Sequence, residues 1–310
     1  MPSKSAAKFS KREMIDALLR SGYLIEGRLQ TAISNDDPNW FTIPNDSYLD
    51  PITQKSRELD LHVIRGVIRN DGPFKGKHLM GLYIECVNNP YPLVLLTRPT
   101  QTSIAHNTDF IKMTGLPVVV LDKADPKVRL PLQSYLQMDT YHHYAQGPVA
   151  NQFCSFSRKN SSAQWMASHQ EEHFNCFTKL IDAVEHYSDL HYKALPITDP
   201  PTATTYMYYP TLVLQGDLYE AKATKRAVTL RKANHLQYRH ATHVNSVYKR
   251  YQIDVVTEKY FPKYLRMIAD EFSRTVDLLG KDDPRLVESL QHLTQVVRGH
   301  DRDIFPHLLG

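Results

Sequence analysis

Two acids in this sequence stand in apolar strand runs, where a carboxylate needs a reason to be, and a third, Glu26, is by itself an ordinary helix-surface acid near Arg28 whose assignment depends on them. Asp60 lies in ELDL, Glu85 in YIEC, and Glu26 near the start of an early helical stretch. The turn NDGPFKGKH separates the segments carrying Asp60 and Glu85, so two neighbouring antiparallel strands would hold these acids side by side. A buried carboxylate costs several kcal/mol unless it is paired or bound to a metal, and two on adjacent strands therefore point to a divalent cation. A hard ion of the Mg²⁺ type takes oxygen ligands and keeps several waters, one of which can become the nucleophile in phosphodiester hydrolysis. The plainer alternative makes Asp60 and Glu85 strand acids in ion pairs with Arg57 or Arg65.

The elements that must position these acids are written in the apolar pattern. Ser10 and Glu13 form a capping box ahead of Met14, Ile15, Leu18 and Leu19 at helical spacing. Gly22 interrupts, and a second helix is expected from about Tyr23 to Ile33, with Ile25, Leu29, Ala32 and Ile33 on one face. Strands are expected over Trp40–Ile43, Glu58–Arg65, Leu79–Val87 and Leu93–Thr97, the last two dense enough in apolar residues for the middle of a sheet. Residues 100–150 read as an insertion, with a strand at Leu116–Leu121 and the Tyr/His-rich run YHHYAQ. A strand at Gln152–Ser157 precedes an amphipathic helix from about Ser162 to Tyr187, which the Pro-rich turn at 196–202 closes. Two strands joined at Gln215-Gly216-Asp217, a strand YQIDVV and a helix from Phe261 to about Leu279 follow. The succession predicts one α/β domain over residues 1–310, a central mixed β-sheet flanked by helices, with its core over about 10–97 and 150–280.

The run helix-Glu, then TQKSRELDL, then YIECVNNPYPLVLL resembles the PD-(D/E)XK restriction-endonuclease-like nucleases over roughly residues 15–97. The 162–187 helix and the YMYYPTLVLQG strand fit the later core elements more weakly. The resemblance implies a restriction-endonuclease-like core with an inserted segment and a C-terminal strand-helix extension. It also implies a nuclease that hydrolyses phosphodiester bonds in nucleic acid with Mg²⁺ or Mn²⁺. DNA is the expected substrate, and a homodimer is the implied arrangement for cutting both strands. In this pattern Glu26 matches the acid of the first helix, Asp60 the metal-binding Asp and Glu85 the acid of E-x-K, with the Cys86 carbonyl a further metal ligand.

The sequence departs from that pattern at Val87, which holds the place of the E-x-K lysine. A lysine there would stand on Glu85's side of the strand, orienting water and steadying charge on the phosphate. Another cation, Lys77, Lys75 or Lys159, is then expected to reach the site. Without one, the chain is a non-catalytic nucleic-acid-binding protein of the same fold.

A rival site is His169-Gln170-Glu171-Glu172-His173, which matches H-x-x-E-H, and a zinc hydrolase using His169, Glu172 and His173 is the second alternative. No third ligand is marked downstream, and a solvated His/Glu face is the simpler reading. His142, His143, His186 and His191 read as surface or partly buried histidines, lacking a recognisable partner set. No GxxxxGK[ST], GxGxxG or GxSxG motif is present, so ATP-driven, dinucleotide and serine-hydrolase chemistry have no support.

Residues 222–250 carry Lys222, Lys225, Arg226, Arg231, Lys232, Arg239, Lys249 and Arg250, and no Asp or Glu. With Tyr238, Tyr248 and Tyr251 interleaved, the segment reads as a surface that grips phosphates and stacks unpaired bases. The alternative is a basic hairpin balancing acids elsewhere. Acids outnumber bases in the rest of the chain, so the formal net charge of +4 is concentrated in this window.

The remaining composition narrows the class. With 310 residues, 42% hydrophobic and 23% charged, the chain can bury a full core and is neither disordered nor of low complexity. No apolar run approaches the roughly 20 residues of a bilayer crossing. The basic N-terminus has no apolar segment of the secretory kind, and three cysteines without CxxC spacing argue for a reducing compartment. A cytoplasmic protein is expected.

Overall fold

The densest apolar runs of the chain become the middle of one mixed sheet. In the computed structural model, which describes residues 10–289 apart from 22–23, 51–52, 73–74, 98–109, 122–124, 126–127, 159–163, 170, 195–202, 226, 245–246, 282–283 and 287, the chain begins with α1 (Lys11–Ser21) and α2 (Ile25–Asp36). Four strands follow, β1 (Trp40–Leu49), β2 (Ser56–Arg69), β3 (Gly76–Val87) and β4 (Leu93–Thr97). A middle region holds β5 (Lys112–Thr114), β6 (Val119–Leu121), β7 (Arg129–Pro131), α3 (Leu132–Tyr135) and α4 (His143–Gln146). Then come β8 (Val149–Ser157), β9 (Met166–Ser168), α5 (Glu171–Lys193), β10 (Ala203–Leu214), β11 (Leu218–Ala223), β12 (Val228–Ala233), β13 (His235–Val244), β14 (Val247–Thr257) and α6 (Phe261–Leu279).

Twelve strands form the large sheet, in the order β1-β2-β3-β10-β14-β13-β8-β4-β11-β12, with β5 on β10 and β9 on β8. The α/β class with a mixed sheet flanked by helices is therefore the fold. Its centre is parallel: β10 pairs β3 from Ala203↔Gly76 to Leu214↔Val87, and β14 from Thr211↔Asp254 to Leu214↔Thr257. These strands read as unbroken apolar runs because both their faces are covered. Pro210 falls where β10 changes partner, between Tyr208, the last residue paired with β5, and Thr211, the first paired with β14. A strand proline needs such a gap in the ladder.

Alternate residues of β3 serve opposite cores. Met80, Leu82 and Ile84 pack with Ile25, Leu29 and Ile33 of α2 and with Phe261, Leu265, Ile268 and Phe272 of α6. The i, i+3, i+4 spacing of the α6 residues draws an apolar stripe along the helix, and Pro262 suits its first turn. Tyr83 and Val87 face the other way, against Phe177, Leu180, Ile181 and Val184 of α5. The capping box is formed: Ser10 N–H donates to Glu13 Oε2 at 2.8 Å and Glu13 N–H to Ser10 Oγ at 3.2 Å.

Several elements differ from the sequence expectation. The helix expected from about Ser162 begins only at Glu171, after the short strand β9, because its buried stripe starts at His173 and Phe177. The 100–150 segment contributes to the core through Ile111, Leu116, Leu132, Met138 and Tyr144 instead of standing apart from it. Gln215-Gly216-Asp217 joins strands that are not neighbours in the sheet. Gly216 donates its N–H to Asn89 Oδ1 at 2.8 Å, and a Cβ there would lie 2.2 Å from the Asn89 carbonyl oxygen. The Pro-rich turn at 196–202 lies outside the described residues. No helix among the described residues is long and apolar enough to cross a membrane.

The two cores should respond alike to truncation. Leu180→Ala and Ile268→Ala, each at a fully buried position on its own face of the sheet, are expected to cost about 2–5 kcal/mol in urea unfolding. Ile68→Ala, 69% exposed, should stay within about 0.5 kcal/mol of the parent.

Candidate functional site

The acids on β2 and β3 meet where both ladders of β2 lapse. The β2–β3 pairing ends at Leu61↔Ile84, which leaves Asp60 opposite Glu85 at the next position. On the other side, pairing with β1 runs to Pro44↔Leu61 and resumes at Asp46↔Leu59, skipping Asn45, whose φ of 51° is left-handed. Asn tolerates that region better than most residues. Freed from the ladder on one side, the Cys86 N–H donates to Asp60 Oδ2 at 2.6 Å, which fixes the carboxylate against β3.

Glu85 projects toward α5 and is 3% exposed. There the Lys179 ammonium donates to Glu85 Oε2 at 2.5 Å, while Glu85 Oε1 is buried with no hydrogen-bond partner among the described residues. Glu26 enters from the opposite layer, in the first turn of α2. Its helix is held by the buried Ile25, Leu29 and Ile33, and by Arg28, which pairs with Glu258 through Nη2 to Oε2 at 3.0 Å.

The electrostatics tie these groups together. Burial, then the Asp60 charge, pushes Glu85 up to about 8 despite the Lys179 ammonium beside it. Burial raises Asp60 too, against the Cys86 N–H and Lys179 that favour its charged form. Glu26 is raised by burial and by the charges of Asp60 and Glu58. Burial works against the Lys179 ammonium, but Glu85 and Asp60 outweigh it and raise its pKa. The Asp60 charge thus disfavours the ionised forms of both Glu85 and Glu26, with one ammonium among the three. Crowding of this kind marks a place that favours added positive charge. Cys86 is pushed well up by burial and by the surrounding carboxylates, so its sulfur stays a thiol and is no nucleophile.

The lysine expectations take a different form. Lys77 is exposed and lies eight residues before Glu85 on the same strand, about 26 Å away at strand rise, and Lys75 lies farther still. Neither reaches Glu85, and Lys159 lies outside the described residues. The ammonium beside Glu85 is instead that of Lys179, which the sequence reading did not single out, on a helix distant in sequence.

Half of the basic residues of this stretch are in ion pairs. Lys222 and Arg231 share Glu220 at 3.2 and 2.8 Å, Lys232 meets Asp217 at 2.7 Å, and Lys249 pairs with Glu185. Arg239 and Arg250 lie over the Phe110 ring. Lys225 is exposed, and Arg226 lies outside the described residues. Tyr238 and Tyr251 are buried in the core facing α5, so of the three tyrosines expected to stack on bases only Tyr248 is exposed. The segment therefore balances acids of its own neighbourhood to a larger extent than its sequence suggests.

The H-x-x-E-H residues do not share a helical turn, since His169 precedes α5. His169 and His173 instead flank Phe153, with ring centroids 4.7 and 6.3 Å from it. Both ring nitrogens of the buried His173 lack hydrogen-bond partners among the described residues.

His142 and His143 are not surface residues. They sit in a buried network with Asp254 of β14 and Glu271 of α6: His143 Nε2 lies 3.0 Å from each Asp254 oxygen and its Nδ1 2.8 Å from Glu271 Oε2. Burial works against the His143 imidazolium, but the two carboxylates outweigh it and raise its pKa to about 10, whereas burial lowers His142 to about 4. Among the described residues, two groups bring His and carboxylate donor atoms within 4.8 Å of one another and could hold a metal ion: His142, His143, Glu271, and His143, His235, Asp254. Glu26, Asp60 and Glu85 are not among these groups. No family model, curated protein or solved structure matches this chain.

The raised Glu85 carboxyl has a measurable consequence. In chelator-treated protein the fold keeps its proton up to about pH 8, while the unfolded chain releases it near the ordinary 4.5. The native state therefore binds more protons in this window, and Glu85's contribution to stability falls as pH rises from about 4.5 to 8 and levels above. Glu85→Gln is expected to flatten that fall, seen as a stability difference from the parent that grows in the variant's favour between pH 5 and pH 8 (roughly the interval between the two pKa values) in urea melts.

Proposed function

We propose that this chain is a divalent-metal-dependent nuclease, hydrolysing phosphodiester bonds in nucleic acid, with DNA as the expected substrate. The observation that carries the reading is Lys179: a helix delivers an ammonium to Glu85 at 2.5 Å, beside Asp60, supplying from α5 the cation that Val87 cannot. Glu26 adds the helix-borne acid of the same pattern.

The residues suit Mg²⁺ or Mn²⁺. Their donors are the carboxylates of Asp60 and Glu85 with the Cys86 carbonyl, all hard oxygens. One of them, Glu85 Oε1, is buried without a partner. A buried carboxylate oxygen left unpaired is costly, and a cation satisfies it. When bound, such an ion supplies Lewis-acid polarisation of a phosphate oxygen and lowers the pKa of water.

The protein's own groups then have separable roles. The Cys86 N–H orients the Asp60 carboxylate. Lys179, held by Glu85, is placed to orient an attacking water and to offset charge building on the phosphate oxygens. Glu26, with its raised pKa, holds a water by hydrogen bonding at the edge of the site. A cation held by helix packing takes the part of one held by strand register.

Purified protein incubated with plasmid, linear and single-stranded DNA in Mg²⁺ or Mn²⁺ tests this. Cleavage should disappear in Asp60→Ala and Glu85→Ala and fall by about 10²–10⁴-fold in Lys179→Met, with the Lys179→Met protein still folded by circular dichroism. Salt-dependent DNA binding without turnover would leave the non-catalytic binding protein in its place, and cleavage indifferent to both carboxylates would discard the site.

A further inference from the structure

A second cluster, separate from Asp60 and Glu85, stands on the far face of the sheet from Glu85. Asp254 shares its side of β14 with Val256, which packs in the α2/α6 core, whereas Glu85 faces α5. Two imidazoles converge on Asp254: His143 Nε2 at 3.0 Å from each oxygen and His235 Nε2 at 2.7 Å from Oδ1. Donors about 2.0–2.1 Å from a tetrahedral ion sit about 3.3 Å apart, so a shift of a few tenths of an ångström admits one.

The outer contacts match what such ligands require. His143 Nδ1 is 2.8 Å from Glu271 Oε2, the Glu271 Oε1 accepts the His143 backbone N–H at 2.7 Å, and the Tyr264 hydroxyl donates to Asp254 Oδ2 at 2.7 Å. A carboxylate on the second ring nitrogen fixes the tautomer and aim of a metal-binding imidazole. The charge count points the same way. Asp254 and Glu271 are 0% and 6% exposed, and among the described residues their ion pairs are all to imidazoles. A divalent cation bound by neutral imidazoles cancels two buried carboxylates in full. Two nitrogen donors favour a zinc-class ion over Mg²⁺. His143 and His235 both line a cavity of about 230 Å³, with Gln237 and Met267 among its other lining residues.

We propose that His143, His235 and Asp254 form a site for a zinc-class divalent ion, oriented by Glu271 and Tyr264, with an open coordination position facing this cavity. Three protein ligands and an open side are the pattern of a reactive zinc-type centre, not of a closed structural one.

Chelator-stripped full-length protein titrated with Co²⁺, followed by visible absorption, and with Zn²⁺ by calorimetry tests the site. One equivalent of each that persists in Asp60→Ala is expected, with Zn²⁺ displacing Co²⁺. Affinity should drop by roughly tenfold or more in His235→Ala and about 10–100-fold in Glu271→Gln, and stay unchanged in Asp60→Ala, which separates this site from the other. Absence of stoichiometric binding to the folded parent, undiminished affinity in His235→Ala, or loss in Asp60→Ala overturns the proposal. Should the variants fail to fold, X-ray absorption of the zinc-loaded parent decides: two imidazoles in the first shell support it, and a sulfur or oxygen-only shell overturns it.

Discussion

Strand β10 is the constraint on which the rest of the molecule depends. It runs parallel to β3 and β14, and its register sets Leu212 beside Glu85 and Thr211 beside Asp254. Parallel neighbours cannot be joined by hairpins, so the chain must cross over a face of the sheet between β3 and β10. That crossover contains α5, and the layer it forms is the one from which Lys179 descends onto Glu85. After β14, α6 covers the opposite face and brings Tyr264 and Glu271 to Asp254 and His143. Topology, through one strand, thus assigns each acidic cluster its own helix. The carboxyl ends of adjacent parallel strands are also where α/β sheets present ligands, and Glu85 and Asp254 lie toward those ends of β3 and β14.

The two clusters solve buried charge differently. Around Asp254 and Glu271 the imidazoles outweigh burial: Asp254 is held well below the ordinary carboxylate range, chiefly by His143 once the opposing desolvation is met. Around Asp60 and Glu85 the balance goes the other way, since a single ammonium faces three acids and burial keeps their pKa values raised. A carboxylate network that is short of positive charge is poorly suited to a purely structural role, because each acid weakens its neighbours. A network whose acids are all matched to imidazoles holds together as it stands, and the same donors can exchange those contacts for an ion.

What could be read in advance follows from how local each signal is. Asp60 and Glu85 were legible because both lie in apolar strand runs separated by one turn, so adjacency followed from sequence alone. Helix α6 was legible to its last residue through its periodic stripe, and Ser10 and Glu13 through a local cap. Lys179 was not, since it lies 94 residues from Glu85 and sits on a helix whose start the polar run before Glu171 obscured. Asp254 carried the same mark as Glu85, an acid in the apolar strand YQIDVV, and that mark was the available signal for the second cluster. Its partners were hidden because His143 and Glu271 stand 128 residues apart, with no short motif linking them. The ion pairs of the basic window were hidden for a related reason: its acids come from Asp217, Glu220 and Glu185, outside the window in sequence but across from it in the sheet and on α5.

Val87 and Lys179 have one physical account. Val87 is 2% exposed and packs with Leu180 and Ile181 in the α5 core, so the strand position that would hold an ammonium forms part of an apolar wall instead. That wall seats the turn of α5 carrying Lys179, whose backbone carbonyl also accepts the Tyr48 hydroxyl at 2.8 Å. A lysine at position 87 would have to be desolvated among those same side chains, whereas Lys179 keeps its stem against the core and its ammonium at the rim, 26% exposed. An ammonium carried by α5 therefore stands at the rim and leaves an intact hydrophobic contact beneath it. The position of the cation then depends on the packing of α5 against β3, and through β3 on the same parallel register that fixes the rest of the sheet.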